Sequence, residues 1–179
     1  MTERGPWKTV SSREIYRDKW LALQIDDVIR PDGAPGIHSI VQLKPGITVL
    51  AMDVERNFYL AEEFHYGVGC WMLEGVNGGC DPNETPAQTA QRELREELGI
   101  VAGKWTELGV IQPITSSIVA PAHLYLAEDL TFVATAHEGT ELIRCVKVSW
   151  DEAMRMAADG RIGHGVTLSL LLRIILHLR

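Results

Sequence analysis

The chain has 179 residues, 46% of them apolar, and a formal net charge of −7. This length suits one domain with a small appended element, and the apolar fraction is sufficient for a buried core. The negative charge argues against general binding to a nucleic-acid backbone, although an acidic protein can still bind phosphates through a divalent cation.

The first part of the chain predicts β-strands separated by turns. Apolar residues alternate with polar ones or run continuously, as in half-buried and fully buried strands. The predicted strands are residues 20–29, 37–43, 47–54 and 58–64, and the turn cluster RPDGAPG lies between the first two. The glycine-rich residues that follow, 65–84, predict short pieces and loop.

Residues 86–98 carry the signals of a helix. Thr85 is a preferred N-cap residue, Pro86 suits the first helical position, and Gln88 completes a capping box with Thr85. Gly99 is placed to end the helix in a left-handed conformation. The apolar stripe expected to face the core consists of Ala87, Ala90, Leu94 and Leu98.

The remainder of the chain returns to strands and then ends in helices. Strands are predicted at 105–114, 122–130 and 144–150, a loop at 134–143, and helices at 149–160 and 166–179. Strands, one helix, more strands and terminal helices together predict an α+β layered domain.

The cysteines and the two termini predict a cytoplasmic protein that does not enter a membrane. Cys70, Cys80 and Cys145 have no paired spacing, which disfavours a disulfide framework or a zinc site. The polar N-terminal residues lack the apolar core of a signal peptide. The apolar C-terminal run is interrupted by Arg173 and is too short for a bilayer span, so we expect it to pack on the domain or on a second subunit.

The predicted helix is crowded with glutamates near its end. Glu93 and Glu97 are one turn apart and Glu96 lies beside them, although like charges at this spacing repel each other. Solvent, a basic partner or a metal ion could offset the repulsion. Mg²⁺ prefers oxygen ligands and commonly combines carboxylates with substrate phosphates.

The wider spacing around these glutamates matches the Nudix box at every position. Gly78 is followed after five residues by Glu84, and after seven more by the run Arg92-Glu93-Leu94-Arg95-Glu96-Glu97-Leu98-Gly99-Ile100. A chance match of the seven fixed letters is on the order of 10⁻⁸ per start point. The chain therefore resembles a Nudix hydrolase.

The resemblance implies the Nudix-type α/β/α sandwich with a mixed β-sheet, and hydrolysis of a nucleoside diphosphate linked to another group. It implies Mg²⁺ or Mn²⁺ as the cofactor, with Glu93 and Glu97 as metal ligands and Glu96 as a further ligand or a hydrogen-bonding neighbour. Four residues of the motif have implied structural roles, with ordinary ion pairing and turn chemistry as the alternative interpretation: Gly78, Glu84, Arg92 and Gly99.

The rest of the chain is similar to the ADP-ribose pyrophosphatase group. Residues 1–45 could supply the N-terminal β extension of that group, a potential dimerisation element, which leaves 46–179 as the catalytic domain. The stretch Glu74-Gly-Val-Asn77-Gly78 corresponds to the Glu-Leu-Pro-Ala-Gly-like stretch of the group, and Asn77 could offer its backbone carbonyl to the metal. The group often has an arginine shortly before this stretch, where His65 and Tyr66 stand here.

A general base and substrate contacts are also implied by the resemblance. A glutamate of the loop before the strand at residue 144 acts as base or as an extra metal ligand in the group, and the candidates are Glu141, which we favour, and Glu138. The alternative for either residue is a solvent-exposed loop acid. The candidate substrate contacts are Trp20, Tyr66 and Glu74, with Trp7 as a further aromatic platform.

The sequence thus predicts metal-dependent hydrolysis of ADP-ribose or a related nucleoside diphosphate sugar to a nucleoside monophosphate and a sugar phosphate. The alternatives are another nucleotide substrate, such as a dinucleotide or a nucleoside triphosphate, and a non-catalytic nucleotide sensor. The expected partner is a small nucleotide, without nucleic acid or membrane, and the resemblance implies a homodimer.

Overall fold

A computed structural model describes residues 1–137, 139 and 142–179. The chain divides into two compact units. The N-terminal unit comprises Met1–Lys44 and Gln112–Pro121, and the large unit comprises Pro45–Ile111 and Ala122–Arg179. The predicted division at residue 45 did not include residues 112–121 in the first unit.

The described residues form strands and three helices within these units. In chain order the strands are β1 (Thr2–Arg4), β2 (Trp7–Arg17), β3 (Leu21–Ile29), β4 (Pro35–Leu43), β5 (Gly46–Met52), β6 (Asn57–His65), β7 (Cys70–Glu74), β8 (Val76–Gly79), β9 (Ile100–Ile111), β10 (Ile118–Val119), β11 (Ala122–Phe132) and β12 (Ile143–Ser149). The helices are α1 (Pro86–Leu98), α2 (Trp150–Asp159) and α3 (Gly165–His177).

The N-terminal unit is a five-stranded sheet in the order β1-β2-β3-β4-β10. Its first four strands pair antiparallel, and β10 joins in parallel, with Ile118 opposite Val41. The predicted strands at 20–29 and 37–43 are confirmed as β3 and β4. β1 and β2 were not predicted, because β2 is mostly exposed and its polar sequence shows little of the apolar pattern that identifies a strand.

The large unit is built on a mixed sheet in the order β12-β6-β5-β11-β9, with β7 paired to β6 and β8 paired to β5. β5 and β11 are parallel, with Val49 opposite Tyr125, whereas the other pairs are antiparallel. The structure confirms the predicted α+β class. The glycine-rich residues 65–84, predicted as short pieces and loop, contain β7 and β8.

Helices cover both faces of this sheet. Leu50 and Leu124 pack with Leu170 of α3 in one core cluster, whereas Val49 packs with Leu94 of α1 in the other. Neighbouring strand residues alternate between the two clusters because successive side chains of a strand point to opposite faces. Fully burying each such side chain contributes roughly 1.5–3 kcal/mol, so both helix layers are held to the sheet by substantial apolar burial.

Helix α1 has the predicted bounds and the predicted caps. The Thr85 side chain accepts from the Gln88 backbone N–H, the Gln88 side chain accepts in return, and Gly99 is left-handed with φ 62°. Three residues of the predicted stripe are buried, but Ala87 is exposed, so its assignment to the core was wrong. The buried residues nearest the start of the helix are instead Thr89 and Ala90.

The C-terminal helix α3 packs on the large unit. This is one of the two predicted arrangements, packing on the domain or on a second subunit. Val166, Leu170, Leu171 and Ile174 are buried in its core. In the described part of the chain, no helix combines the length and the apolar character needed to cross a membrane.

Candidate active site

The box residues meet where β8 leads into α1. Gly78 lies on β8, and a Cβ built on it would lie 2.5 Å from the carboxyl carbon of Glu93. Real Cβ atoms essentially never approach other atoms so closely, so the Glu93 carboxylate packs directly on the backbone, and a side chain at position 78 would have to displace it. This close approach places one predicted metal ligand against the backbone of β8.

A single guanidinium holds three glutamates of the box. Arg92 donates to Glu84 from Nε at 2.9 Å and from Nη2 at 3.0 Å. Its Nη1 lies 2.9 Å from Glu93 and donates to Glu96 at 3.0 Å. Such charge-assisted bonds offset the repulsion among the carboxylates. They raise the pKa of Arg92 and, together with a bond from Thr89, lower the pKa of Glu84 to about 2.

Glu97 is nearly buried, with 7% of its surface exposed. The end of α1 that carries it is fastened by residues 133–137. Ala136 N donates to the Glu96 carbonyl at 2.9 Å, and His137 Nε2 contacts the Glu97 carbonyl at 2.7 Å. The carboxylate is therefore presented by a fixed turn of the helix.

These residues fit a divalent cation of the Mg²⁺ type. Its preferred ligands are oxygens, and the box places the carboxylate of Glu93 beside backbone at Gly78, where a side chain would fill the space. Asn77, immediately before Gly78, is fixed by its side chain. Its Oδ1 accepts from Thr48 at 2.5 Å, and its Nδ2 donates to the Gly75 carbonyl at 2.8 Å.

Glu74 lies in a buried polar cluster next to the box. It is 3% exposed, and its Oε1 contacts His65 Nε2 at 2.8 Å and accepts from Asn77 Nδ2 at 3.0 Å. Its Oε2 lies 3.4 Å from Nδ1 of His164. Burial lowers the pKa of His164, although the nearby Glu74 carboxylate acts in the opposite direction. Glu74 is thus embedded among protein groups, and its role as a substrate contact stays a prediction.

Sequence reasoning did not assign His65, His164 or Thr167 to this cluster. Thr167 Oγ1, in a fully buried residue, accepts from Gly75 N at 2.9 Å and contacts His164 Nδ1 at 2.9 Å. The only sequence signal was that His65 stands where the similar group often has arginine. Nothing in the local sequence indicated the contribution of α3.

The predicted aromatic contacts are more scattered. Trp20 belongs to the N-terminal unit, is 63% exposed and lies under the Lys19 ammonium. Tyr66 is 95% exposed between β6 and β7 of the large unit. Trp7 meets His38 edge-on and lines a cavity of about 290 Å³ within the N-terminal unit. Their substrate contacts remain predictions.

Glu138 and Glu141, the candidate bases, lie outside the described residues.

Two family models together match most of the chain. The NUDIX domain matches residues 42–169, and the nucleoside diphosphate sugar hydrolase N-terminal domain matches residues 7–41. The fold and the complete box agree with these matches. The chain belongs to the Nudix family of hydrolases, as the spacing of residues 78–100 predicted.

Relatives from several bacteria are similar over most of their length. The chain is 30% identical to a CMP-5'-(N-acetyl-N-hydroxy-3-aminopropyl)phosphonate hydrolase of Streptomyces rubellomurinus, over 92% of this chain and 81% of the relative. It is 26% identical to an ADP-ribose pyrophosphatase of Bacillus subtilis, over 87% of this chain and 85% of the relative. An ADP-ribose pyrophosphatase of Mycobacterium tuberculosis is also 26% identical, over 94% and 83% of the two chains.

A solved structure shares the fold. The crystal structure of an ADP compounds hydrolase superposes with a TM-score of 0.85 and covers 99% of this chain and 97% of its own, at 19% identity. This similarity confirms the predicted sandwich.

Proposed function

We propose that this chain hydrolyses the diphosphate linkage of ADP-ribose or a related nucleoside diphosphate sugar to a nucleoside monophosphate and a sugar phosphate. The observation that carries the proposal is the complete box, with Glu93 packed on Gly78 and three glutamates held by Arg92. The match to the sugar hydrolase N-terminal domain and the relatives named ADP-ribose pyrophosphatase support this substrate class.

In this proposal Glu93 and Glu97, with Glu96 and the backbone carbonyl of Asn77, would hold Mg²⁺ or Mn²⁺. When bound, the ion would supply neutralisation of the diphosphate charge and polarisation of the attacking water. Arg92 would keep the glutamates in position before substrate arrives, because its bonds to Glu84 and Glu96 do not depend on a ligand.

The proton of the attacking water would pass to a carboxylate. Glu141, or in its place Glu138, would accept this proton as the water oxygen attacks a phosphorus of the diphosphate. The bond from that phosphorus to the bridging oxygen would break, and the leaving phosphate would retain the bridging oxygen. This assignment rests on the resemblance to the family.

We also propose that the chain acts in the cytoplasm as a homodimer to which the N-terminal unit contributes. The three cysteines are free thiols, which suits a reducing compartment. Light scattering coupled to size exclusion would test the dimer. A monomer at assay concentration would exclude it.

A different nucleotide substrate is the second candidate. His65 replaces the arginine of the similar group and contacts the buried Glu74, and the relative at 30% identity is a hydrolase named for a CMP-linked phosphonate. Both observations favour testing compounds in which the nucleoside monophosphate is linked to a group other than the ribose phosphate of ADP-ribose. The non-catalytic sensor is disfavoured by the complete set of box glutamates.

The experiment that tests the proposal is cleavage of a nucleotide panel with Mg²⁺, with Mn²⁺ and with chelator. The panel holds ADP-ribose, several sugar nucleotides, CMP-linked compounds, dinucleotides and triphosphates, and products are separated by chromatography. Cleavage of ADP-ribose or a sugar nucleotide that depends on metal is expected. If the protein preferentially cleaves another class of nucleotide, that class would replace nucleoside diphosphate sugars as the proposed substrate. If it binds nucleotides without cleaving any of them, the non-catalytic sensor would be supported.

A further inference from the structure

The buried carboxylate of Glu74 has no lysine or arginine among its described contacts. Four other partly buried carboxylates of the large unit lie against a lysine or arginine: Asp53 with Lys147, Glu62 with Arg144, Glu84 with Arg92, and Glu128 with Lys104. The described contacts of Glu74 are instead two imidazoles and one amide. A buried carboxylate without a strong counter-charge is unfavourable, so this position favours a cation.

Two further donor groups lie beside Glu74. Glu63 and His65 alternate on β6 and therefore share one face of the strand, and β7 brings Glu74 alongside. One ligand atom from each of Glu63, His65 and Glu74 lies within 4.8 Å of the others. Ligands about 2.0–2.2 Å from a tetrahedral ion are separated by about 3.3 Å, so binding of one ion would draw these atoms closer together.

We propose that Glu63, His65 and Glu74 form a transition-metal site of the large unit, separate from the box glutamates, which takes a divalent ion of the Zn²⁺ type. An imidazole together with carboxylates suits Zn²⁺ and similar ions, whereas Mg²⁺ prefers an all-oxygen set. His164 contacts the second oxygen of Glu74, the position of a supporting group that orients a ligand.

The site adjoins the box through one residue. Asn77 donates to Glu74 and directly precedes Gly78, on which Glu93 packs. A Zn²⁺ ion bound to Glu74 would compete with Asn77 for the Oε1 atom and would thereby act on the segment that leads into the box. The proposal does not require the chain to be a hydrolase, because it concerns binding of the ion alone.

Zn²⁺ binding to the full chain tests the proposal. The protein, freed of metal by chelator, is titrated with Zn²⁺ in the presence of excess Mg²⁺, which occupies sites made of oxygen ligands. We expect binding to be at least about tenfold weaker in H65Q and in E63Q than in the wild type. The matched control is H177Q, at an exposed histidine at the end of α3, which should bind as the wild type does.

Two further measurements distinguish Zn²⁺ binding at this site from binding at the box glutamates and from an effect of misfolding. E97Q should retain Zn²⁺ binding, even where it loses turnover. Circular dichroism establishes whether each variant is folded, and the histidine ring ¹⁵N resonances of the wild type should show Zn²⁺-dependent shifts at His65. Equal Zn²⁺ affinity in the wild type, H65Q and E63Q would overturn the site, as would loss of binding in E97Q alone or no binding by the wild type.

Discussion

Arg92 donates two hydrogen bonds to the Glu84 carboxylate, from Nε at 2.9 Å and from Nη2 at 3.0 Å, although the two residues are eight positions apart. Glu84 precedes α1 and Arg92 lies within it, so the pair fastens the loop to the helix. The remaining Nη1 of the same guanidinium contacts Glu93 and Glu96. One residue therefore organises the loop and two candidate metal ligands.

Replacing Arg92 with lysine should destabilise the protein, because an ammonium cannot reproduce the two-bond grip on Glu84. Hydrogen bonds to charged groups contribute roughly 1.5–3 kcal/mol, so we expect a loss of about 1–3 kcal/mol in the free energy of unfolding. Urea unfolding measures it. R95K, at an exposed position of the same helix, is the control and should change little. Equal effects in both variants would contradict the organising role of Arg92.

Because of the Glu84 carboxylate, the free energy of unfolding should depend on pH in the acidic range. Its pKa is lowered from 4.5 to about 2 in the folded state. The stabilisation is therefore fully present above about pH 4.5 and is lost as the pH falls through about 2. The wild type should have a higher free energy of unfolding than E84Q. This difference should shrink as the pH falls from about 4.5 to about 2. Urea unfolding at several pH values measures it. A margin independent of pH would argue against the ion pair.

G78A should impair turnover by displacing Glu93, because the added methyl group would overlap the Glu93 carboxylate. We expect at least a tenfold loss of kcat/KM, about 1.4 kcal/mol in the barrier, with a folded chain by circular dichroism. G67A is the matched control, since a Cβ there meets no atom within 4 Å. Activity of G78A equal to that of G67A would mean that the position of Glu93 is unimportant.

E97Q should remove most turnover while the fold persists. The change retains the size of the side chain and removes the negative charge predicted to bind the cation, so we expect a loss of about 100-fold or more in kcat. E55Q, in an exposed turn of the same unit, should keep full activity. The panel assay with Mg²⁺ measures both variants, and full activity in E97Q would refute the metal-ligand assignment.

T167V should destabilise the large unit. The fully buried Thr167 hydroxyl accepts from the Gly75 N–H at 2.9 Å. Valine has a similar shape but leaves that donor unsatisfied, at about 1–3 kcal/mol. T167S keeps the hydroxyl and should lose less. Thermal and urea unfolding compare the two, and a T167V variant as stable as T167S would show that the bond is dispensable.

The local features of the site could be predicted from the amino-acid sequence alone. The bounds of α1, its capping box and its left-handed Gly99 all depend on residues a few positions apart, so the pattern reports them directly. The spacing from Gly78 to Ile100 likewise identified the family and the glutamates that the structure gathers around Arg92.

The long-range features became visible only in the folded chain. The polar β2 forms by pairing with β3 rather than by its own apolar pattern, and residues 112–121 join the N-terminal unit because β10 pairs with β4. His65, Glu74 and His164 come from a strand, its hairpin partner and the start of the last helix, and meet only when the sheet and α3 pack. Such contacts depend on pairing and packing between distant segments, and no periodicity within one segment encodes them.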